Sequence, residues 1–302
     1  MSNNKLFNTT LADYFMAKTK SKQKALVLFS GGLDSKLVIK LLQKKRVDVE
    51  AIFFKLPFGG GCCNDSMCVF KFSQMENVKL HIVDAAKGKN LKEYLDILKK
   101  PRYGTGAGVN PCIDCRIFML KRAEKIKKKI GADFLATGEV LGERPMSQTK
   151  QALKIIDKNI PGIKRPLIEI GIYGRKRDKQ IALARKFKID YPEPAGGCLL
   201  CEKLVKERFK FLLDKDLINS KTLPLSKIRR HFNIKKFGWF VVGRNEKENQ
   251  IIERYKNSIK SASGIPAVYY HKNNKQNKQK ALELQKAYSK GGKKKFERFK
   301  LK

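Results

Sequence analysis

Apolar and polar positions along this chain follow two periods, and the first half reads as a regular succession of strands and helices. Ala25–Phe29 is an unbroken apolar run closed by Ser-Gly-Gly, which fits a short strand buried on both faces. From Leu33 to Lys44 the apolar residues fall at 33, 37, 38, 41 and 42, the spacing of one helix face. Val47–Phe54 reads as a second strand, Leu80–Asp84 as a third and Leu91–Leu98 as a helix. Cys115–Ile130 follows as a basic amphipathic helix, and Phe134–Thr137 as a strand running into Gly138. Strands alternating with helices in this way form a parallel sheet with helices on both faces. Such sheets hold ligands at the carboxyl ends of their strands. That edge is where Ser30–Ser35, Thr137–Gly138 and the loop Asn110–Cys115 are expected to converge.

Beyond Pro161 the pattern loosens. Asp178–Phe187 and Leu204–Leu213 read as helices separated by a Pro- and Gly-rich loop, Tyr191–Cys201. From about Leu217 short alternating runs replace them, Gly238–Gly243 being the clearest strand. The expected organisation is a leader over 1–24, an α/β domain over 25–214, a small basic α+β module over 215–272 and a basic tail over 273–302. The tail is read as a helix plus a disordered end.

Composition changes the picture mainly through charge. Hydrophobic residues at 42% suffice for a globular core, but 67 Lys and Arg stand against 28 Asp and Glu, a formal charge of +39. A small metabolite needs no such field, whereas a polyanion does, and nucleic acid is the default partner. The first 24 residues lack the apolar stretch, roughly 7–15 residues long, of a secretory signal. No run approaches the roughly 20 apolar residues of a membrane helix. The cytoplasm is the expected compartment, where seven cysteines read as ligands, catalytic thiols or buried fillers rather than a disulfide framework.

Ser30-Gly-Gly-Leu-Asp-Ser35 leaves a strand and opens a helix. Gly31 and Gly32 let the backbone approach phosphate oxygens, the helix N-terminus supplies N–H groups and partial positive charge, and Ser30 and Ser35 add hydroxyl donors. Asp34 needs help to bind a phosphate, so it is expected to act through Mg2+ or by positioning a donor. The loop resembles the signature of the PP-loop ATPases, which cleave ATP between the α- and β-phosphates and adenylate a substrate. No Gly-Lys-Ser/Thr motif of the Lys-bearing P-loop is present. Residues 25–200 further resemble the tRNA thiolation branch, the 4-thiouridine synthetases and 2-thiouridylases, through Asn110-Pro-Cys-Ile-Asp-Cys115, Ala136-Thr-Gly-Glu139 and Pro194-Ala-Gly-Gly-Cys198. The resemblance implies ATP as cosubstrate, Gly138 beside the nucleotide, adenylation of a uridine carbonyl oxygen of tRNA, and displacement of AMP by sulfur. The sulfur donor implied is inorganic sulfide or a cysteine desulfurase relay.

Cys112 and Cys115 form a C-x-x-C pair at a helix start, where the dipole favours thiolate. Cys198 lies on another loop of the same proposed edge. Three readings compete. These three cysteines hold a 4Fe-4S cluster with one open iron, as in the iron–sulfur-dependent thiolases they resemble; or one carries a persulfide that another resolves; or Cys198 and Cys201 join the first pair in a zinc site. Cys62, Cys63 and Cys68 lie in a Gly-rich loop without tight ligand spacing, and are read as part of a flexible substrate loop.

Gly142–Gln148 is too polar for core, and Arg144 is a candidate RNA contact. Arg175-Lys-Arg177 precedes a helix and either binds phosphate or belongs to a basic surface. His81, His231 and His271 show no ligand spacing, which argues against a histidine-based triad. Arg229-Arg230-His-Phe232 and Val241–Asn249 resemble the RNA-binding module of NFACT proteins, with Arg229, Arg230 and Arg244 as RNA contacts and Phe232, Phe237 and Trp239 either as stacking surface or as strand core. Alternatives to thiolation are a PP-loop tRNA-modifying ligase that needs no cysteines, and a non-catalytic RNA-binding protein.

Overall fold

The computed structural model describes residues 23–59, 67–191, 197–289 and 294–301. Nearly all of the expected leader, Cys62, Cys63 and Pro194–Gly196 lie outside the described residues. The chain divides into two compact units, Met1–Gly106 with Asn110–Leu199, and Ala107–Val109 with Leu200–Lys302.

In the first unit, β1 (Lys24–Leu28), β2 (Asp48–Lys55), β3 (Lys79–Asp84) and β4 (Phe134–Thr137) form a parallel sheet in the order β3-β2-β1-β4. Six helices accompany them: α1 (Leu33–Lys44), α2 (Met67–Met75), α3 (Gly88–Lys99), α4 (Cys112–Lys129), α5 (Lys150–Asn159) and α7 (Asp178–Lys186), with the short turn α6 (Pro166–Glu169) before the last. The two-residue period of the strands sorts side chains to opposite faces. Ala25 and Val27 pack with Leu37, Val38 and Leu41 of α1 and Leu183 of α7. Leu26 and Leu28 pack with Ile117 and Leu120 of α4 and Ile156 of α5. Each fully buried aliphatic side chain is worth about 1.5–3 kcal/mol, so the sheet is clamped from both sides. Its register pairs Leu28 with Thr137, which brings the chain after β1 and the chain after β4 to the same edge.

In the second unit, β5 (Arg230–Ile234), β6 (Gly238–Val242), β7 (Ser258–Ile259), β8 (Val268–Tyr270) and β9 (Lys300–Leu301) form an antiparallel sheet in the order β7-β8-β6-β5-β9. One face packs on α11 (Lys275–Ser289): Phe232, Phe240, Val268 and Tyr270 meet Ala281, Leu284 and Tyr288. The helices α8 (Lys206–Asp214), α9 (Leu223–Ser226), α10 (Glu246–Glu253) and α12 (Lys294–Glu297) complete the unit. Helix α8, expected to close the first domain, falls within this second unit: Arg208 donates from Nη1 to the carbonyls of Ile228 (3.1 Å) and Arg229 (3.2 Å). Among the described residues no helix is long and apolar enough to cross a membrane.

Candidate active site

Ser30–Ser35 lies at the carboxyl end of β1, as its place between strand and helix requires. Gly31 adopts a left-handed conformation (φ 81°) that an L side chain resists. Ser35 Oγ donates to the carbonyl of Gly32 at 2.9 Å, and the Ser30 amide reaches Ser35 Oγ at 3.3 Å, so the loop is closed on itself. Gly32 occupies the N-cap of α1 and offers no side-chain acceptor. The first-turn amides therefore face the loop mouth without a protein cap, the arrangement that suits an anion. Gly138 seals the other side. A Cβ at Gly138 would lie 2.8 Å from the Asp34 carbonyl carbon and 2.9 Å from the Ser35 amide, so any side chain there would push β4 away from α1.

Around Asp34 the structure leaves an unusual concentration of unpaired polar atoms. Asp34 Oδ1, Glu143 Oε2 and Arg177 Nε are buried without hydrogen-bond partners, and the Gln180 amide, at the edge of bonding distance from Asp34, has no well-formed hydrogen bond. Gln180 is fully buried. Each such atom costs about 1–3 kcal/mol when left unpaired. Burial pushes the Asp34 carboxyl up, and the charges of Arg177 and Arg144 partly offset this. Burial and the neighbouring Asp34 charge push Glu143 up as well. Two carboxylates and two guanidinium groups thus lie close enough to interact at the sheet edge, with Gln180 beside Asp34. The set fits a magnesium phosphate: the carboxylates of Asp34 and Glu143 suit the cation, and Arg177 and Arg144 suit the phosphate oxygens. Sequence reasoning singled out Asp34, Arg144 and Arg177 but missed Glu143 and Gln180. Arg177 and Gln180 stand three residues apart at the start of α7, a spacing that puts them on one helix face.

The cysteines gather at a second point. Cys112 is the first residue of α4, whose N-cap, Pro111, supplies no side-chain hydrogen bond. Asn110 donates from Nδ2 to Cys112 Sγ at 3.1 Å, and Gly106 makes room for that carboxamide, since a Cβ there would lie 2.5 Å from Nδ2. Cys115 Sγ lies 3.7 Å from the hydroxyl of Tyr94. Tyr94 is buried against Phe58 and Phe118. Its phenol is held well above the ordinary range by burial first and then by Cys115, Cys198 and Cys112. All three thiols therefore act on one hydroxyl. The amide of Leu199 bonds the carbonyl of Phe58 at 3.0 Å, which fastens the Cys198 segment beside the Tyr94 pocket. Among the described residues no three His, Cys, Asp or Glu side chains are gathered tightly enough to hold a single metal ion. A 4Fe-4S cluster is held by cysteine thiolates, one to an iron, and Cys112, Cys115 and Cys198 are the thiols that influence the Tyr94 hydroxyl. Cys68, read from the sequence as part of a flexible loop, lies instead on α2 and packs partly buried against the core, and Cys201 is exposed in the second unit.

Glu139 joins the two points. Its buried carboxylate accepts from Thr137 Oγ1 (3.0 Å) and Arg165 Nε (2.8 Å), and pairs with Arg116 Nε at 3.1 Å. Arg116 directly follows Cys115, and Glu139 directly follows Gly138. The cysteine helix is thereby tied to the strand end that touches Asp34.

In the second unit the proposed RNA arginines differ in their freedom. Arg244 is tied to Glu248 at 2.6 Å, Arg230 donates to the Gly243 carbonyl and covers the Tyr288 ring, and Arg229 is 61% exposed. Of the two roles open to Phe232 and Trp239, the stacking surface is not formed, because both are buried. Strand alternation puts Phe232 on the α11 face, and Trp239 on the other face donates to His231 Nδ1 at 2.9 Å. Phe237 is partly buried.

A family model described as thiamine biosynthesis protein (ThiI) matches residues 20–190. The probable tRNA sulfurtransferase of Thermoanaerobacter sp. (strain X514) is 34% identical over 170 residues, 54% of this chain and 40% of that protein. The chain thus spans about two fifths of the length of that curated relative. A crystal structure of a 4-thiouridine synthetase–RNA complex with bound ATP covers 68% of this chain and 52% of its own, at 23% identity and a TM-score of 0.46. The U34-tRNA thiolase NcsA from Methanococcus maripaludis with its 4Fe-4S cluster covers 73% and 78%, at 18% identity and a TM-score of 0.43. Both structural likenesses are loose, and neither bears on the chemistry.

Proposed function

The chain belongs to the ThiI family, and from that premise we propose that it thiolates a uridine of tRNA at the expense of ATP. The observation that supports this most is the join of two chemistries on one sheet edge: a phosphate loop with unpaired carboxylates and guanidinium groups, linked through Gly138, Glu139 and Arg116 to a three-thiol site. Thiolation needs both. A carbonyl oxygen is a poor leaving group, so it first attacks the α-phosphorus of ATP and releases pyrophosphate. The amides of Ser30–Ser35, with Arg177 and Arg144, would hold the departing pyrophosphate, and Asp34 and Glu143 the Mg2+. Sulfur then adds to the activated ring carbon, and AMP leaves.

In this reading Cys112, Cys115 and Cys198 would hold a 4Fe-4S cluster, which would supply sulfur at the sulfide level. Asn110 and Tyr94 steady two of the sulfurs, and Phe58 and Phe118 keep water from the Tyr94 hydroxyl. A persulfide route would use the same thiols, with Cys112 and Cys115 closing a disulfide once sulfur has left. Protein purified without air separates the two: broad brown absorbance belongs to the cluster and a colourless active enzyme to the persulfide. Arg144, Arg229, Arg230 and Arg244 are proposed to face the tRNA, and the donor is sulfide or a desulfurase relay. The test is nucleoside mass spectrometry of tRNA treated with Cys112→Ala, Cys115→Ala and Cys198→Ala variants. Each should bind ATP normally and form no thiouridine; retained thiolation in all three contradicts the proposal.

A further inference from the structure

Uncompensated positive charge in the second unit collects at one end of its sheet. Neither 217–245 nor 254–282 contains an Asp or Glu, and the antiparallel register brings these two acid-free stretches side by side. Phe240 pairs with Tyr270, and the His271 amide bonds the Trp239 carbonyl at 3.0 Å. The chain leaving β8 therefore runs alongside the β5–β6 turn, with Lys272 Cε 3.8 Å from where a Cβ on Gly238 would sit. Helix α11 starts at the same place. Asn274 caps it by accepting from the Asn277 amide at 2.7 Å, and Asn277 Nδ2 donates to the Phe237 carbonyl at 2.7 Å, pinning the first turn to the hairpin tip. Lys280 covers the Phe237 ring, 5.2 Å from its centroid, and pairs with Glu283. Lys235 and Lys236 on the turn, Lys272 after β8, and Lys275 and Lys278 on α11 are all exposed. Among the described residues none of these five faces a carboxylate partner, in contrast to Arg244.

We infer that this lysine cluster, Lys235, Lys236, Lys272, Lys275 and Lys278, is an RNA-binding surface that contacts the phosphodiester backbone. Five ammonium groups on three joined segments repel one another at low salt, and among the described residues no carboxylate pairs with any of them. A chain of phosphates does so, releasing one counterion for each phosphate neutralised. The lysine head groups carry no fixed fork geometry, so they suit backbone contacts rather than base reading. The inference rests on the reading of tRNA as substrate, and shifts the main contact surface from Arg244 to the hairpin end.

The test is binding of an unmodified tRNA transcript by the full chain across a salt series, comparing wild type with a Lys235→Gln, Lys236→Gln, Lys272→Gln, Lys275→Gln variant. The log–log salt slope should fall by about 3, and affinity near 0.1 M salt by at least about tenfold, since each lost phosphate contact removes about 0.7–0.9 from the slope. A control with Lys206→Gln and Lys210→Gln should leave both nearly unchanged, and an unaltered thermal melt confirms that the variant is folded. Equal slopes for wild type and the fourfold variant would overturn the inference, as would a wild type that does not bind the transcript. Thiouridine formation is scored separately: a wild type that binds tRNA through these lysines yet adds no sulfur sinks the proposed reaction and leaves the surface standing.

Discussion

Asp34 and Gln180 show how single residues are read at this site. Asp34 stands in the loop whose residue types suggest a phosphate site, so Ser30–Ser35 alone singles it out as a candidate. Gln180 was not singled out, because an amide on the first turn of an otherwise ordinary helix has no sequence signal; its complete burial beside Asp34 marks it. If these atoms are kept unpaired for magnesium and phosphate, Asp34→Asn should keep the fold and lower the rate of AMP formation by about 10²–10³, the usual cost of removing one preorganised charge-stabilising group. Arg177→Ala should instead weaken ATP binding. Steady-state kinetics on the two variants checks this, and an Asp34→Asn enzyme within a factor of a few of wild type contradicts it.

At the scale of elements, the parallel sheet was readable because its strands are continuous apolar runs and α1 carries a clean helical period. The start of α4 was readable from its C-x-x-C spacing. What the periods could not reveal is how α4 is held against β4. That depends on Glu139 meeting Arg116 and Arg165 across the fold, with Arg165 also held by Asp157 at 2.7 Å. In the second unit the alternation of β5 and β6 identified strands, but not that both sheet faces are covered. Phe232 and Trp239 consequently read as either stacking surface or core, and they are core. Removing the shared carboxylate with Glu139→Ala leaves two arginines facing a buried space, and should destabilise the first unit by about 3–5 kcal/mol. Urea denaturation measures this; a loss below about 0.5 kcal/mol, the scale of a surface substitution, would show that Glu139 does not anchor the cysteine helix.

For the whole molecule, the +39 charge was the most legible property and the least specific: it named a polyanion but not where one binds. The second unit carries its own reporter of stability, the chain's single tryptophan, whose indole donates to buried His231. Burial pushes His231 down to about 3 from 6.5. The unfolded chain therefore takes up a proton that the folded unit refuses between those values. Stability should be insensitive to His231 above pH 6.5 and fall by roughly 1.4 kcal/mol per pH unit as the solution is acidified below it. Trp239 fluorescence during denaturation at pH 7 and pH 5 reads the difference, and His231→Phe should flatten it; an equal pH slope in the variant contradicts the assignment.

The central claim is that one sheet edge activates a tRNA uridine and a neighbouring thiol site replaces its oxygen. It is tested most directly by incubating the purified protein without air with ATP, Mg2+, sulfide and unmodified tRNA, then quantifying nucleosides and nucleotides by mass spectrometry from the same mixture. Thiouridine and AMP should form in equal amounts, both dependent on tRNA. ATP consumed to ADP, or AMP formed with no thiouridine, would contradict it.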